Sequence, residues 1–226
     1  TEFAMFQAKR NGRDQMVFFS QPDYRKYIKN IHTREVLRQS IRDGFKGFEV
    51  FYQPIISENG CKLEGAEALL RYKDPDGNNI APVDMIPILE ESSMIIPVGA
   101  FVLDDAARTC SEWRKLVPNF KINVNLSYVQ IMQSKINAEL NRVFEKYKLD
   151  ADSLMMEVTE SGYIQSDMRC MSLFKEFERM NVSVAIDDFG TGYSNLRYIR
   201  DMNASVVKID SSFVSQALND GYDFIV

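Results

Sequence analysis

Val182-Ser183-Val184-Ala185-Ile186-Asp187-Asp188 is an apolar run that ends on two adjacent acids. A short run rich in valine, alanine and isoleucine reads as a buried β-strand, and the abrupt change to carboxylates places charge at its end. The pattern recurs upstream: Glu67 follows Leu63-Glu64-Gly65-Ala66, Asn125 follows Lys121-Ile122-Asn123-Val124, and Glu157 follows Leu154-Met155-Met156. Downstream, Lys208 and Asp210 lie around Val206, Val207 and Ile209. Parallel strands share one direction, so polar residues at like ends gather on one face of the sheet and form a mouth able to bind metal.

From Gly47 onward strands alternate with helices. Phe48 to Ile56 and Leu63 to Tyr72 read as two strands joined through Glu58-Asn59-Gly60, a connection so short that the pair must be antiparallel. After Pro75-Asp76-Gly77 a helical region spans Val83 to Leu116, broken near Pro97. Strands at Ile122 to Leu126, Leu154 to Val158, Val182 to Ile186 and Val206 to Ile209 alternate with helices at Val129 to Tyr147, Met168 to Met180 (capped by Ser166 or Asp167) and from Asn195. Repeated strand-helix units predict an α/β fold, and acids shared among the strands favour a barrel over an open sheet. Six strands and the 180 residues from Gly47 to Val226 fall short of the eight strands of such a barrel, so the expectation is a barrel cut short after about six strands, part of a longer polypeptide. Ahead of it, Pro22 to Gly44 carries Tyr27, Ile31, Val36, Leu37 and Ile41 at helical spacing and reads as a linker helix, 21–46; Thr1 to Phe19 reads as a helix end and a short strand from Gln15 to Phe19.

Composition narrows the chemistry. With 45% apolar residues among 226, the chain is a globular core-former. Its longest nearly apolar stretch, Met94 to Leu103, is about half of what a bilayer span needs, and no leader opens it. A cytoplasmic segment without membrane contact is expected, either free or as the cytoplasmic part of a membrane-anchored sensor. Three dispersed cysteines, Cys61, Cys110 and Cys170, fit a reducing compartment and are read as inert; the methionines are read as core filler. A net charge of −5 argues against binding a nucleic acid polymer by bulk electrostatics, so an anionic substrate would need a cation to bring it in. The single histidine, His32, leaves nothing on which to build a Ser-His-Asp triad or a multi-histidine zinc site. Acid-base chemistry must rest on carboxylates, lysine and metal-activated water.

Six motifs in order carry a resemblance: Tyr52-Gln53-Pro54, Glu67-Ala68-Leu69-Leu70-Arg71, Asn123-Val124-Asn125-Leu126-Ser127, Glu157-Val158-Thr159-Glu160-Ser161, Asp187-Asp188-Phe189-Gly190-Thr191-Gly192-Tyr193-Ser194 and Lys208-Ile209-Asp210. Together they resemble the EAL domain family, TIM-like (β/α)8 barrels with an antiparallel first strand pair that hydrolyse the bacterial second messenger cyclic di-GMP to linear pGpG. The resemblance covers about 45–226, and residues 1–20 look like the tail of a GGDEF-like domain, lacking its glycine-rich signature. It implies that Glu67, Asn125, Glu157 and Asp187 are metal ligands, with Asp188 completing a second position, for two Mg²⁺ or Mn²⁺ ions. It further implies that Glu160 holds the loop after Asp188, that Lys208 orients the attacking water, and that Gln53, Leu70 and Arg71 contact the nucleotide. Read from the residues alone, Lys208 could instead pair with Asp187 or Asp210, and Arg71 with Asp74. A homodimer is an expected partner state. The rival reading is a non-catalytic cyclic di-GMP receptor; the family's last glutamate and glutamine would lie beyond Val226. Asp187 and Asp188 can serve one site only if their strand ends there, with Gly190 and Gly192 allowing the turn.

Overall fold

A computed structural model describes residues 2–10, 12, 14, 16, 18–57, 60, 62–159, 168–190 and 203–217. In chain order these form α1 (Glu2–Arg10), α2 (Gln21–Arg42), β1 (Phe48–Ile56), β2 (Leu63–Lys73), β3 (Asn79–Ile80), α3 (Pro82–Glu91), α4 (Ile95–Trp113), β4 (Lys121–Asn125), α5 (Tyr128–Gln133), α6 (Ile136–Tyr147), β5 (Leu154–Thr159), α7 (Met168–Arg179), β6 (Ser183–Phe189), β7 (Val206–Ile209) and α8 (Ser211–Ala217). The strands make one sheet in the order β1-β2-β4-β5-β6-β7, with β3 paired to β2. β1 and β3 run antiparallel to β2; every other neighbouring pair is parallel. Among the described residues the sheet is open, with β1 and β7 at its edges.

Alternation along the strands separates two chemistries. Ala66 and Ala68 of β2, Ile122 and Val124 of β4, Leu154, Met156 and Val158 of β5, and Val184 and Ile186 of β6 are buried in one core under α4, α6 and α7. On α7, Cys170, Leu173, Phe174 and Phe177 recur at helical spacing and meet that core. Burying a side chain the size of the fully enclosed Phe177 is worth about 1.5–3 kcal/mol. Residues at the alternate positions, Glu67, Asn123, Asn125, Glu157 and Asp187 among them, share the other face.

A second core forms where α2 and α3 meet the start of the sheet, with Leu37, Phe48, Tyr72, Met85 and Leu89 inside it. Leu37 is fully enclosed, and Ser40 shares a 2.7 Å hydrogen bond with the Tyr72 hydroxyl of β2. The C-terminal half of α2 is thereby built into the barrel-like body.

Several expectations change. β3 was not anticipated: two residues suffice to form it because the Asp74 carboxylate accepts from the backbone N–H of Asp76 and Asn78, folding the chain back on β2. β2 ends at Lys73, one residue beyond the expected Tyr72, and Glu67 stands inside it. The break between α3 and α4 lies at Ser92–Met94, not at Pro97. Ser92 Oγ donates to the Ile88 carbonyl and Ser93 takes a positive φ of 55°, whereas Pro97 falls in the first turn of α4, where a missing N–H costs little. The single helix expected at Val129 to Tyr147 is divided at Ser134, which is extended. Met16, Phe18 and Phe19 form no strand; Phe19 instead meets the edge of Phe3, at 6.3 Å between ring centroids. The helix expected from Asn195 and the cap at Ser166 or Asp167 lie outside the described residues.

Candidate functional site

Strand register assembles the site. Gln53 of β1 pairs with Glu67 of β2, Glu67 with Asn123 of β4, Asn125 with Glu157 of β5, and Thr159 with Asp187 of β6. Paired residues project to the same side of a sheet, so these polar groups share one face. Ligand oxygens of Glu67, Glu157 and Asp187 lie within 4.8 Å of one another, a group able to hold a metal ion. At that separation each pair of ionised carboxylates repels by about 3.5 kcal/mol at an effective dielectric of about 20. Lys208 on β7 offsets this, its Nζ lying 3.0 Å from Glu67 Oε2, 2.8 Å from Glu157 Oε2 and 3.2 Å from Asp187 Oδ1. The lysine is therefore a partner of Asp187, as one reading of the sequence had it, and of two further acids; Asp210 bonds Ser212 instead. Three carboxylates and one ammonium leave two formal negative charges, which suits a divalent cation.

Asn125 donates from Nδ2 to Glu67 Oε1 at 2.8 Å, which adds a fourth oxygen-bearing side chain to the cluster. Asn123 belongs to the same motif as Asn125 but has no role assigned by it. It is buried and donates to Glu157 Oε1 at 2.8 Å, fixing the carboxylate that Lys208 holds from its other oxygen. Two-residue alternation from Asn125 was the signal that could have found it.

β6 does not end at Asp187. It runs on to Phe189, and the register with β7 shifts between Ile186 and Phe189. Asp188 sits in this bulge with a positive φ of 54°, a conformation that Asp tolerates better than most residues. The irregularity breaks strict alternation and leaves Asp188 under the influence of Asp187, Asp210, Lys208 and Glu67. Asp188 is not a member of the tight carboxylate group. Glu160 and Gly192 lie outside the described residues.

Burial sets the electrostatics. The Glu157 side chain has no solvent exposure; desolvation raises its pKa, Lys208 opposes the rise, and the Glu67 charge adds to it. Asp188 is raised by desolvation, then by the charges of Asp187 and Asp210. Desolvation penalises the Lys208 ammonium, but its bonds to Glu157 and Glu67 outweigh that and carry its pKa above the ordinary lysine value.

A cavity of about 630 Å³ opens beside the cluster, lined by Asn125 and Glu157 and also by Leu70, Arg71, Ile95 and Val98. Arg71 Nη1 donates to the Leu70 carbonyl at 2.9 Å, and its guanidinium lies 5.9 Å from the centre of the Phe51 ring. Asp74 is engaged by Asp76 and Asn78. Gln53 is exposed beside Glu67 and does not line the cavity. Cys110 and Cys170 are buried free thiols, and burial pushes the Cys110 thiol up to about 11. No helix among the described residues is long and apolar enough to cross a membrane.

An α/β sheet with an antiparallel first pair thus carries, across neighbouring strands, a cluster of acids able to hold a metal ion next to a cavity of about 630 Å³. The chain belongs to the EAL domain family, whose model matches residues 34–226, from within α2 to the end. It is 31% identical over 211 residues to cyclic di-GMP phosphodiesterase PdeR of Escherichia coli K12, covering 93% of this chain and 32% of that protein. It is also 31% identical over 222 residues to the bifunctional diguanylate cyclase/cyclic di-GMP phosphodiesterase MucR of Pseudomonas aeruginosa, covering 97% of this chain and 32% of that protein. The chain thus spans about a third of these curated relatives. Among solved structures, the PaMucR phosphodiesterase in complex with c-di-GMP superposes with a TM-score of 0.78 at 31% identity, over 86% of this chain and 78% of that one. The EAL enzyme Bd1971 in its cGMP-bound form gives a TM-score of 0.79 at 30% identity, over 90% of this chain and 56% of that one.

Proposed function

We propose that this domain hydrolyses one phosphodiester bond of cyclic di-GMP, giving linear pGpG, with the aid of divalent cations. The observation that carries the reading is the group of Glu67, Glu157 and Asp187, of which Glu157 lines a cavity, in a chain that shares its family and fold with a phosphodiesterase solved in complex with c-di-GMP. The donor set fits such ions: carboxylate and carboxamide oxygens suit Mg²⁺ or Mn²⁺, and no histidine or cysteine thiol of the kind zinc favours belongs to the group. Glu67, Asn125, Glu157 and Asp187 would hold one ion, and Asp188 in its bulge would help to hold a second. Bound divalent cations supply charge neutralisation at the phosphate and activation of water.

The chain's own groups do the positioning. Arg71 presents two N–H groups to a phosphate oxygen pair, with Leu70 packing beside it against the nucleotide. Gln53, on the same face as Glu67, contacts the nucleotide from the sheet edge. Lys208, held by Glu157 and Asp187, remains an ammonium at neutral pH and orients the attacking water through a donated hydrogen bond. Water attacks phosphorus, the bond to the 3′ oxygen breaks, and that oxygen leaves with a proton to become the free hydroxyl of pGpG.

Incubation of the purified chain with cyclic di-GMP and Mn²⁺ or Mg²⁺, followed by chromatography, tests the reading. Appearance of pGpG that stops on addition of chelator supports it; binding of cyclic di-GMP without product would establish a receptor instead.

A further inference from the structure

The face that carries the carboxylates borders the turn between β4 and α5. Asn125 ends β4 and is exposed, so packing does not fix its side chain; it is held by its bond to Glu67, and its backbone leads into the turn that follows. That turn is pinned at three points. Leu126 N donates to the Glu157 carbonyl at 2.8 Å, tying it to β5. Ser127 caps α5, accepting from Val129 N at 3.2 Å, while its own N–H donates to Gln130 Oε1 at 3.1 Å. Ser127 Oγ donates to Glu90 Oε1 of α3 at 2.6 Å, and Glu90, Ser127 and Gln130 line the same cavity as Asn125 and Glu157.

Gln130 is buried, and the space for its amide exists because α4 carries glycine at position 99. A methyl at Gly99 would overlap Gln130 Nε2 and lie 2.6 Å from its Cδ. Three helices thus converge on the turn: α3 through Glu90, α4 through Gly99 and α5 through Gln130.

We propose that Gln130, seated against Gly99 and joined through Ser127 to Glu90, is a positioning residue that sets metal affinity by holding the turn that presents Asn125 to Glu67. The inference rests on the reading of Asn125 as a ligand. Groups that orient metal ligands typically change affinity about tenfold or more when removed.

Mn²⁺ binding, followed by the electron paramagnetic resonance of the free ion, tests this without reference to turnover. Gln130→Ala and Ser127→Ala are expected to weaken Mn²⁺ binding by about tenfold, equivalent to about 1.4 kcal/mol. Ser127→Thr, which keeps the capping hydroxyl, should bind as the parent does. Gly99→Ala should weaken binding by displacing Gln130, and adding Gln130→Ala to it should bring no further loss, because the displaced amide is then gone. Should Gly99→Ala fail to fold, the two other single variants carry the test. A thermal midpoint that falls while Mn²⁺ affinity stays within about twofold in both Gln130→Ala and Ser127→Ala would reduce these residues to scaffolding and overturn the inference. Absence of Mn²⁺ binding by the parent chain would instead overturn the functional reading beneath it.

Discussion

Replacing Lys208 by methionine removes the only cation that touches Glu67, Glu157 and Asp187 together among the described residues. Loss of one partner from a buried ion pair costs about 3–5 kcal/mol. Here Lys208 is 28% exposed, Glu67 18% and Asp187 19%, so solvent screens part of that cost and about 2–3 kcal/mol is expected. For a domain of this size each kcal/mol moves the thermal midpoint by about 2–4 °C, so Lys208→Met should melt about 4–12 °C lower in chelator near neutral pH. The sign with pH follows from the partners. The raised pKa of Lys208 makes its contribution complete below the unfolded lysine value and lost only as pH climbs through the folded one, far above neutrality. At the acid end, Glu157, whose pKa burial raises, takes up a proton and needs the ammonium less. The deficit should therefore shrink from about pH 7 to about pH 4, and saturating Mn²⁺ should raise the variant's midpoint more than the parent's. Circular dichroism melts at both pH values decide it. Equal midpoints in chelator, or a deficit independent of pH, would refute the assignment of Lys208 as the charge partner of this cluster.

Three further outcomes follow from particular contacts. Leu37→Ala empties a fully enclosed position between α2 and the sheet and should lower stability to urea by about 2–5 kcal/mol, whereas a helix that merely connects would show no change. Because burial raises the pKa of Glu157 and of Asp188, protons compete with a cation there more than at an ordinary carboxylate; Mn²⁺ affinity should weaken as pH falls, with proton release visible by calorimetry in buffers of different ionisation enthalpy. Arg71→Lys keeps the charge but loses the two-pronged donor, so KM for cyclic di-GMP should rise about tenfold with kcat changed less; an unchanged KM would remove Arg71 from the nucleotide contacts.

What the sequence revealed, and what it hid, divides along a physical line. Apolar runs ending in acids are local signals, and they located the parallel strands and the residues that register brings to one face. Glu67, Glu157 and Asp187 were legible for that reason. The bulge at Asp188 was not, because an apolar-to-acidic transition looks the same whether a strand stops or merely shifts register. Hydrophobic spacing also runs straight through Ser92 and Ser134, where side-chain and backbone geometry end one helix and begin another. Asn123 and Gln130 were hidden by their polarity: burial of a polar group is decided by the partner that satisfies it, Glu157 in one case and the Ser127 cap in the other. Lys208 was placed at the site, yet its threefold contact depended on strands 141 and 51 residues apart in sequence from it.

The most direct test compares the chain with Glu67→Ala for both binding of cyclic di-GMP and its metal-dependent turnover. Glu67 lies at the mouth of the site and not in either core, so the variant should keep its folded circular dichroism spectrum and bind the nucleotide through Arg71 and Leu70, while pGpG formation falls by at least about a hundredfold. Turnover by the variant equal to that of the parent would contradict the claim that this carboxylate cluster is the catalytic metal centre.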